Sequence, residues 1–159
     1  MDISRIRALR GPNLWSRHTA MEAIVACTDA ERALTTLPGF ETRLRSLFPG
    51  LGAFRKALDQ VSLAHVLEAA TLALQTQAGC PVTFSRTTQT VEAGTYQVVV
   101  EYSEEDVGRK ALKAAGRLIE AALAPDGQFD AAATVAELRE LDEDIRLGPS
   151  TGAIVNAAV

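Results

Sequence analysis

The middle of the chain constrains the fold most, because its apolar residues follow two different periods in turn. Residues 61–77 carry apolar side chains at helical spacing, which predicts an amphipathic helix. Residues 82–88 and 96–102 are rich in β-branched and aromatic side chains and flank a turn at Gly94, so we expect two strands there. Residues 103–123 return to helical spacing, with acidic residues in the first turn. This order of helix, strand pair and helix predicts an α+β fold.

Shorter elements are predicted on both sides of this centre. Residues 2–10 and 21–27 have short apolar patterns that fit extended strands. Thr28 and Glu31 have the spacing of a capping box, and Asp130 is a favourable N-cap, so each position predicts a helix start. Further helices are accordingly predicted over residues 28–37, 41–48, 130–145 and from 149 onward. We expect a single α+β domain over residues 1–159, with a small, mostly antiparallel sheet of about four strands packed by four to six helices.

The composition excludes several classes of protein. Hydrophobic residues make up 47% of the chain and charged residues 23%, as in ordinary folded domains. No uninterrupted apolar run reaches the length of about 20 residues that a membrane span needs, and the N-terminus lacks the pattern of a secretory signal. The net charge is -4, whereas nucleic-acid-binding domains usually carry a basic excess. We therefore expect a cytoplasmic protein that binds neither membranes nor nucleic acids.

Four short segments carry a resemblance to a known family. They read RALRGPNLWS at residues 7–16, FSRT at 84–87, EDVGR at 105–109 and LGPST at 147–151. In their order and spacing these segments resemble the N-terminal domain of bacterial cyanophycin synthetases, and the similarity extends over essentially the whole chain. Cyanophycin is a polymer with a poly-aspartate backbone and an arginine on each side-chain carboxylate. The resemblance therefore implies a module of the enzyme that makes this polymer.

The resemblance also implies what the chain lacks. In that family, an ATP-grasp domain and a Mur-ligase-like domain further along the chain add aspartate and arginine with ATP and Mg. Residues 1–159 contain no lysine in a GxxxxGK[ST] phosphate-binding pattern, and we expect no cofactor in this domain. The implied partners are the polymer and the two ligase domains of the same chain, in a homo-oligomeric parent enzyme. Residues 153–159 read as a helix without a stop signal, which indicates a piece of a longer polypeptide.

One helix falls where some family members carry a metal-binding HxxEH pattern followed by a further Glu. Such members are understood to cleave the polymer into primers by metal-assisted hydrolysis, which needs three protein ligands and an open position for water. Here the first two functional positions are His65 and Glu68, but Ala69 and Ala73 replace the second His and the later Glu. Alanine cannot bind a metal, so we predict no metal site and no catalytic residue. A ligand from elsewhere, His18 or Cys80, is the remaining route to a hydrolase.

A groove for this polymer should offer arginine to its free carboxylates and acidic residues to its guanidinium groups. The candidate substrate-binding residues are Arg5, Arg7, Arg10, Arg86, Arg109, Glu101, Glu104 and Glu105. Trp15 is a further candidate, since guanidinium groups stack on aromatic faces. The alternative for each charged residue is a solvated surface position.

Three hypotheses about function follow from the sequence. The first is a non-catalytic module that binds cyanophycin and holds it for the ligase domains. The second is a degenerate metal-dependent hydrolase that generates primers, and the third is an oligomerisation domain of the synthetase.

Overall fold

A single four-stranded sheet forms one layer of the fold in the computed structural model, which describes residues 1–9 and 19–147. The strands are β1 (Asp2–Leu9), β2 (Ala20–Ala26), β3 (Ser85–Gln89) and β4 (Thr95–Glu101). Their order across the sheet is β1-β2-β4-β3, and every neighbouring pair is antiparallel. β1 and β3 are therefore the two outer strands.

In the described part of the chain, four helices form the other layer. They are α1 (Phe40–Leu47), α2 (Leu63–Gln77), α3 (Glu105–Leu123) and α4 (Ala131–Leu147). α2 and α3 contact the sheet, and α1 and α4 pack on these helices. α2 contacts β3 and β4 and packs beside α3, while α4 lies against both of these helices. Alternate residues of β4, namely Tyr96, Val98 and Val100, enter the core that lies between the sheet and the helices. The predicted α+β architecture with an antiparallel sheet is confirmed.

One predicted helix is wrong. Instead of a helix over residues 28–37, the chain forms two 3-10 turns, Ala30–Arg32 and Leu34–Thr36. Half of the capping box is present, because the backbone N–H of Thr28 donates to Glu31 Oε1 at 2.9 Å. The helix cannot continue because the backbone N–H of Leu34 donates to the Val61 carbonyl oxygen at 2.9 Å, a long-range bond that replaces a helical one.

The predicted bounds of the other elements shift by a few residues. The first strand of the predicted hairpin begins at Ser85 instead of residue 82, and the Asp130 N-cap is correct, with Asp130 Oδ1 accepting from the Ala133 backbone N–H at 2.9 Å. Arg10, Trp15, His18 and the helix predicted from residue 149 lie outside the described residues. None of the helices between residues 19 and 147 is long and apolar enough to cross a membrane.

Candidate binding site

Two adjoining cavities run along the outer side of β3. The first has a volume of ≈ 490 Å³ and lies between β3, the outward face of α2 and residues 50–56. The second has a volume of ≈ 640 Å³ and is lined mostly by polar residues of β3 and of the segments 29–33 and 56–60. Lys56, His65 and Thr87 line both cavities. We call the two together the trough, whose combined size suits a ligand larger than a single amino acid.

His65 lies where the two cavities meet, and its ring is fixed by the start of α2. The Ser62 backbone N–H donates to His65 Nδ1 at 3.1 Å, and the His65 backbone N–H donates to Ser62 Oγ at 3.3 Å. This reciprocal pair is a capping box with histidine in the place of the usual Glu or Gln. Because Nδ1 accepts a backbone N–H, the proton of the neutral ring is assigned to Nε2.

The surroundings of His65 favour the neutral ring. Burial holds the pKa of His65 below its ordinary value, and the nearby Lys56 charge acts in the same direction, while Glu68 opposes them. The ring also meets Tyr96 edge-on, with 5.8 Å between ring centroids. His65 is therefore a neutral, oriented group at the centre of the trough.

Glu68 connects α2 to β3. Its Oε2 accepts from Ser85 Oγ at 2.6 Å and its Oε1 from Thr87 Oγ1 at 2.6 Å. Ser85 and Thr87 are two apart on the strand, so both side chains point to the same face, toward α2. Both carboxylate oxygens are thus engaged in holding the helix to the outer strand.

The residues present do not fit a metal ion. Ala69 and Ala73 line the trough beside His65 and Glu68 and supply no ligand atom. Cys80 lies beyond the C-terminal end of α2, whereas His65 lies in its first turn, about 18 Å of helix away, and burial raises the pKa of the Cys80 thiol. Within residues 1–9 and 19–147, no three His, Cys, Asp or Glu side chains come together as a metal site would need.

The floor of the first cavity is apolar, and the rim of the trough is charged. Ala69, Leu72 and Ala73 form part of the floor. Exposed residues of both signs line the trough: Arg55 and Lys56 as cations on the rim, Arg86 as a cation on β3, and Asp29 and Asp59 as anions. In the described part of the chain, no ion pair joins Arg55, Lys56, Asp29 or Asp59 to another residue. These charges are available to a ligand that carries both signs.

Among the predicted cationic binding residues, the structure brings Arg86 to the trough. Arg5 and Arg7 lie on β1, about three strand spacings or 14 Å across the sheet from β3. Arg7 Nε donates to Glu22 Oε1 at 3.0 Å, and Glu22 also accepts from Gln97 Nε2 at 2.6 Å. Their part in binding stays a prediction, as does that of Arg10.

The predicted acidic residues and Arg109 lie away from the trough. Glu101 is only 5% exposed, and its Oε1 accepts the backbone N–H groups of Thr83 and Phe84 at 2.8 and 3.1 Å. Glu104 is the N-cap residue of α3, and Arg109 Nε donates to Glu105 Oε2 at 3.0 Å. The geometry gives Glu101 a structural role at the start of β3, while a binding role for this group stays a prediction.

Sequence reasoning missed most of the trough's rim. Arg55 and Lys56 belong to a segment without helical or strand periodicity, directly after the sequence Pro49-Gly50-Leu51-Gly52. Such a break predicts a loop, and two adjacent cations on a loop are a signal for binding that the sequence did contain.

Comparison with known proteins places these features in a family. Residues 23–124 match the family described as cyanophycin synthase-like N-terminal domain. The chain is 36% identical to the cyanophycin synthetases of Trichormus variabilis and of a Nostoc species, in each case over 99% of this chain and 19% of the relative. It is 34% identical to the cyanophycin synthetase of a Synechocystis species, over 99% of this chain and 20% of that relative. The chain thus spans about one fifth of the length of these relatives.

Proposed function

Because the chain belongs to the family of cyanophycin synthase-like N-terminal domains, we propose that it binds the polymer cyanophycin in the trough without cleaving it. The observation that carries the proposal is the trough itself, with the apolar floor of its first cavity and the exposed charges of both signs along it. Each unit of the polymer presents a carboxylate and a guanidinium, so a rim of Arg and Lys with Asp is complementary to it.

The alanines on α2 support binding over hydrolysis. A hydrolytic metal centre needs three protein ligands, whereas Ala69 and Ala73 leave space at the positions where ligands would stand. Glu68, the residue that would act as a base, has both oxygens engaged by Ser85 and Thr87. The side chains of the helix thus form a surface for contact, and no observation favours the hydrolase or the oligomerisation hypothesis.

The role of such a module in a larger enzyme follows from tethering. We propose that the chain acts together with ATP-grasp and Mur-ligase-like domains, which use ATP and Mg, in a homo-oligomeric synthetase. Holding the polymer on one module raises the effective concentration of its growing end at the ligase sites without adding contacts to the reacting atoms. The polymer needs only weak affinity for this purpose, since it presents many repeated units.

The test is a calorimetric titration with a defined oligomer of the aspartyl-arginine unit. We expect binding that salt weakens, because exposed charges are screened. Lys56→Ala is expected to lower affinity by about fivefold, the size of one exposed ion pair. Lys113→Ala removes the same group from an exposed position on α3 outside the trough and should leave the affinity unchanged.

Three results would contradict the proposal. Failure of the oligomer to bind at millimolar concentration removes the polymer-binding function. Shortening of the oligomer in the presence of zinc, detected by mass spectrometry and lost in Glu68→Gln, would establish the hydrolase instead. Equal affinities for Lys56→Ala and Lys113→Ala would move the binding site away from the trough.

A further inference from the structure

The hydrogen bonds at both ends of the β3–β4 pair determine which backbone groups of β3 bond to β4. Glu101 N–H donates to the Phe84 carbonyl oxygen, and Thr90 N–H donates to the Thr95 carbonyl oxygen, each at 2.9 Å. Bonded positions alternate along an antiparallel strand, so Arg86 and Thr88 also direct their backbone N–H and C=O groups toward β4. The backbone groups of Ser85, Thr87 and Gln89 point the other way, to the outer edge.

This outer edge borders the trough along its whole length. Ser85 and Thr87 line the first cavity, and Thr87 and Gln89 line the second. Across residues 1–9 and 19–147, β3 pairs with β4 on one side and with no strand on the other. β3 also keeps an unbroken register over its five pairs with β4. The trough is thus bordered by a straight row of backbone donors and acceptors at the spacing of an extended peptide.

We propose that the trough binds an extended peptide main chain as a fifth strand on the outer edge of β3. The inference rests on the proposed function and names the binding mode. The occupant is the poly-aspartate backbone of the polymer, whose peptide N–H and C=O groups pair with Ser85, Thr87 and Gln89. Main-chain pairing of this kind supplies affinity, and pockets for alternate side chains supply specificity.

The arrangement around β3 accommodates both sets of side chains of an added strand. Successive side chains of a strand point to opposite faces. One set would lie over α2, where Ala69 and Ala73 are small and leave the first cavity open. The other set would lie beside Arg86, whose side chain alternates with those of Ser85 and Thr87 and is exposed. Every arginine-bearing branch of the polymer therefore reaches either the trough or the opposite face of the sheet.

Glu68 keeps the edge in place for this pairing. It accepts the side-chain hydroxyls of Ser85 and Thr87, so these hydroxyls are turned toward α2, away from the backbone groups of the edge. Hydroxyls of Ser and Thr otherwise compete for neighbouring backbone groups. Among residues 1–9 and 19–147, no hydrogen bond engages the backbone donors and acceptors of this outer edge, so they are left for the ligand.

Hydrogen exchange followed by NMR distinguishes main-chain pairing from side-chain contact. We expect the amides of Thr87 and Gln89 to be protected at least tenfold more strongly when the aspartyl-arginine oligomer is bound. The amides of Arg86 and Thr88 are bonded to β4 already and serve as internal controls that should change little. Binding without added protection at Thr87 and Gln89 would overturn the fifth-strand mode and leave polymer binding intact. No binding at all would overturn both.

A matched pair of variants tests the same point by affinity. Gln89→Pro removes the backbone N–H that faces the trough, while Gln89→Ala removes the exposed side chain and keeps that N–H. We expect Gln89→Pro to bind the oligomer about fivefold more weakly than Gln89→Ala, the effect of one hydrogen bond. Thermal unfolding of both variants checks that each is folded. Equal affinities for the two folded variants would contradict the proposal.

Discussion

The two outer strands of the sheet differ in how regular they are. β3 pairs with β4 in an unbroken register from Ser85 to Gln89. β1 pairs with β2 in a register that shifts between Ser4 and Arg7, and Arg5 within this shift has a φ of 51°. A left-handed φ is uncommon for a residue with a side chain. One edge of the sheet is therefore straight, and the other is kinked.

This difference separates a protected edge from an open one. A bulge increases local twist and disrupts the row of backbone groups that another chain would need, and charged side chains have a similar protective effect. β1 has both features, since exposed Asp2, Arg5 and Arg7 accompany its bulge. β3 has neither a bulge nor a run of charges, and it borders the trough. An edge without these protections is what a strand-binding site requires.

The largest expected effect concerns the alternation of backbone groups along β3. Thr88→Pro removes an N–H that donates to β4 and forces the proline ring into the ladder, so we expect a loss of about 3 kcal/mol in the free energy of unfolding. Gln89→Pro removes an N–H on the outer edge, where proline is tolerated, and should cost less than about 1 kcal/mol. Urea denaturation of both variants measures the difference.

The contrast between inner and outer backbone groups of β3 fails if Thr88→Pro and Gln89→Pro lower the free energy of unfolding equally. Equal losses would mean that the outer edge of β3 is bonded like the inner one. A larger loss for Gln89→Pro would reverse the assignment of inner and outer backbone groups.

A smaller effect is expected where α2 holds β3. Glu68→Ala removes the group that accepts the hydroxyls of Ser85 and Thr87. We expect the free energy of unfolding to fall by about 2 kcal/mol, a figure that already allows for the partial exposure of Glu68. Glu137→Ala is the control, because its contact with Lys110 is long, at 3.7 Å, and exposed; this change should cost at most about 0.5 kcal/mol. Equal unfolding free energies for the two variants would show that Glu68 does not secure the edge.

The pH dependence of stability should report on His65, at the centre of the trough. Its pKa is lowered in the folded chain, so on acidification the unfolded chain binds the proton first. The neutral ring therefore contributes fully to the free energy of unfolding above the ordinary histidine pKa of about 6.5. This contribution is lost as the pH falls below that value. Protonation of Nδ1 would also displace the Ser62 N–H.

Urea denaturation is measured at a series of pH values between 7.5 and 5.5, because this interval lies above the range in which ordinary carboxylates titrate. We expect the urea midpoint to fall over this interval and to fall less in His65→Gln. An NMR titration in which His65 has an ordinary or raised pKa would contradict the assignment of a neutral, half-buried ring.

The sequence predicted the architecture because local patterns determine it. The apolar spacing of α2 and the β-branched residues of β4 identify a helix and a strand without reference to the rest of the chain. The rim of the trough was not predictable in this way. Arg55 and Asp29 are 26 residues apart on segments without periodicity, and long-range bonds such as that from Leu34 to Val61 fold those segments beside β3.

Glu101 illustrates a second limit of sequence reasoning. Its position near Glu104 and Glu105 suggests one acidic binding surface. In the structure it is buried and accepts the backbone N–H groups of Thr83 and Phe84. Charge along the sequence does not indicate which carboxylate faces a backbone amide, because that depends on the pairing of β3 with β4.

The smallest expected effect concerns the kink in β1. Arg5 has a left-handed φ, which glycine adopts without the steric cost that a Cβ imposes. We expect Arg5→Gly to be about 0.5 to 1 kcal/mol more stable than Arg5→Ala, since both variants lack the side chain and differ in backbone freedom alone. The same exchange at Thr87 on the regular strand should have the opposite sign, with Thr87→Gly less stable than Thr87→Ala by about 0.5 to 1 kcal/mol. Matching signs at the two positions would remove the contrast between a kinked edge and a straight one.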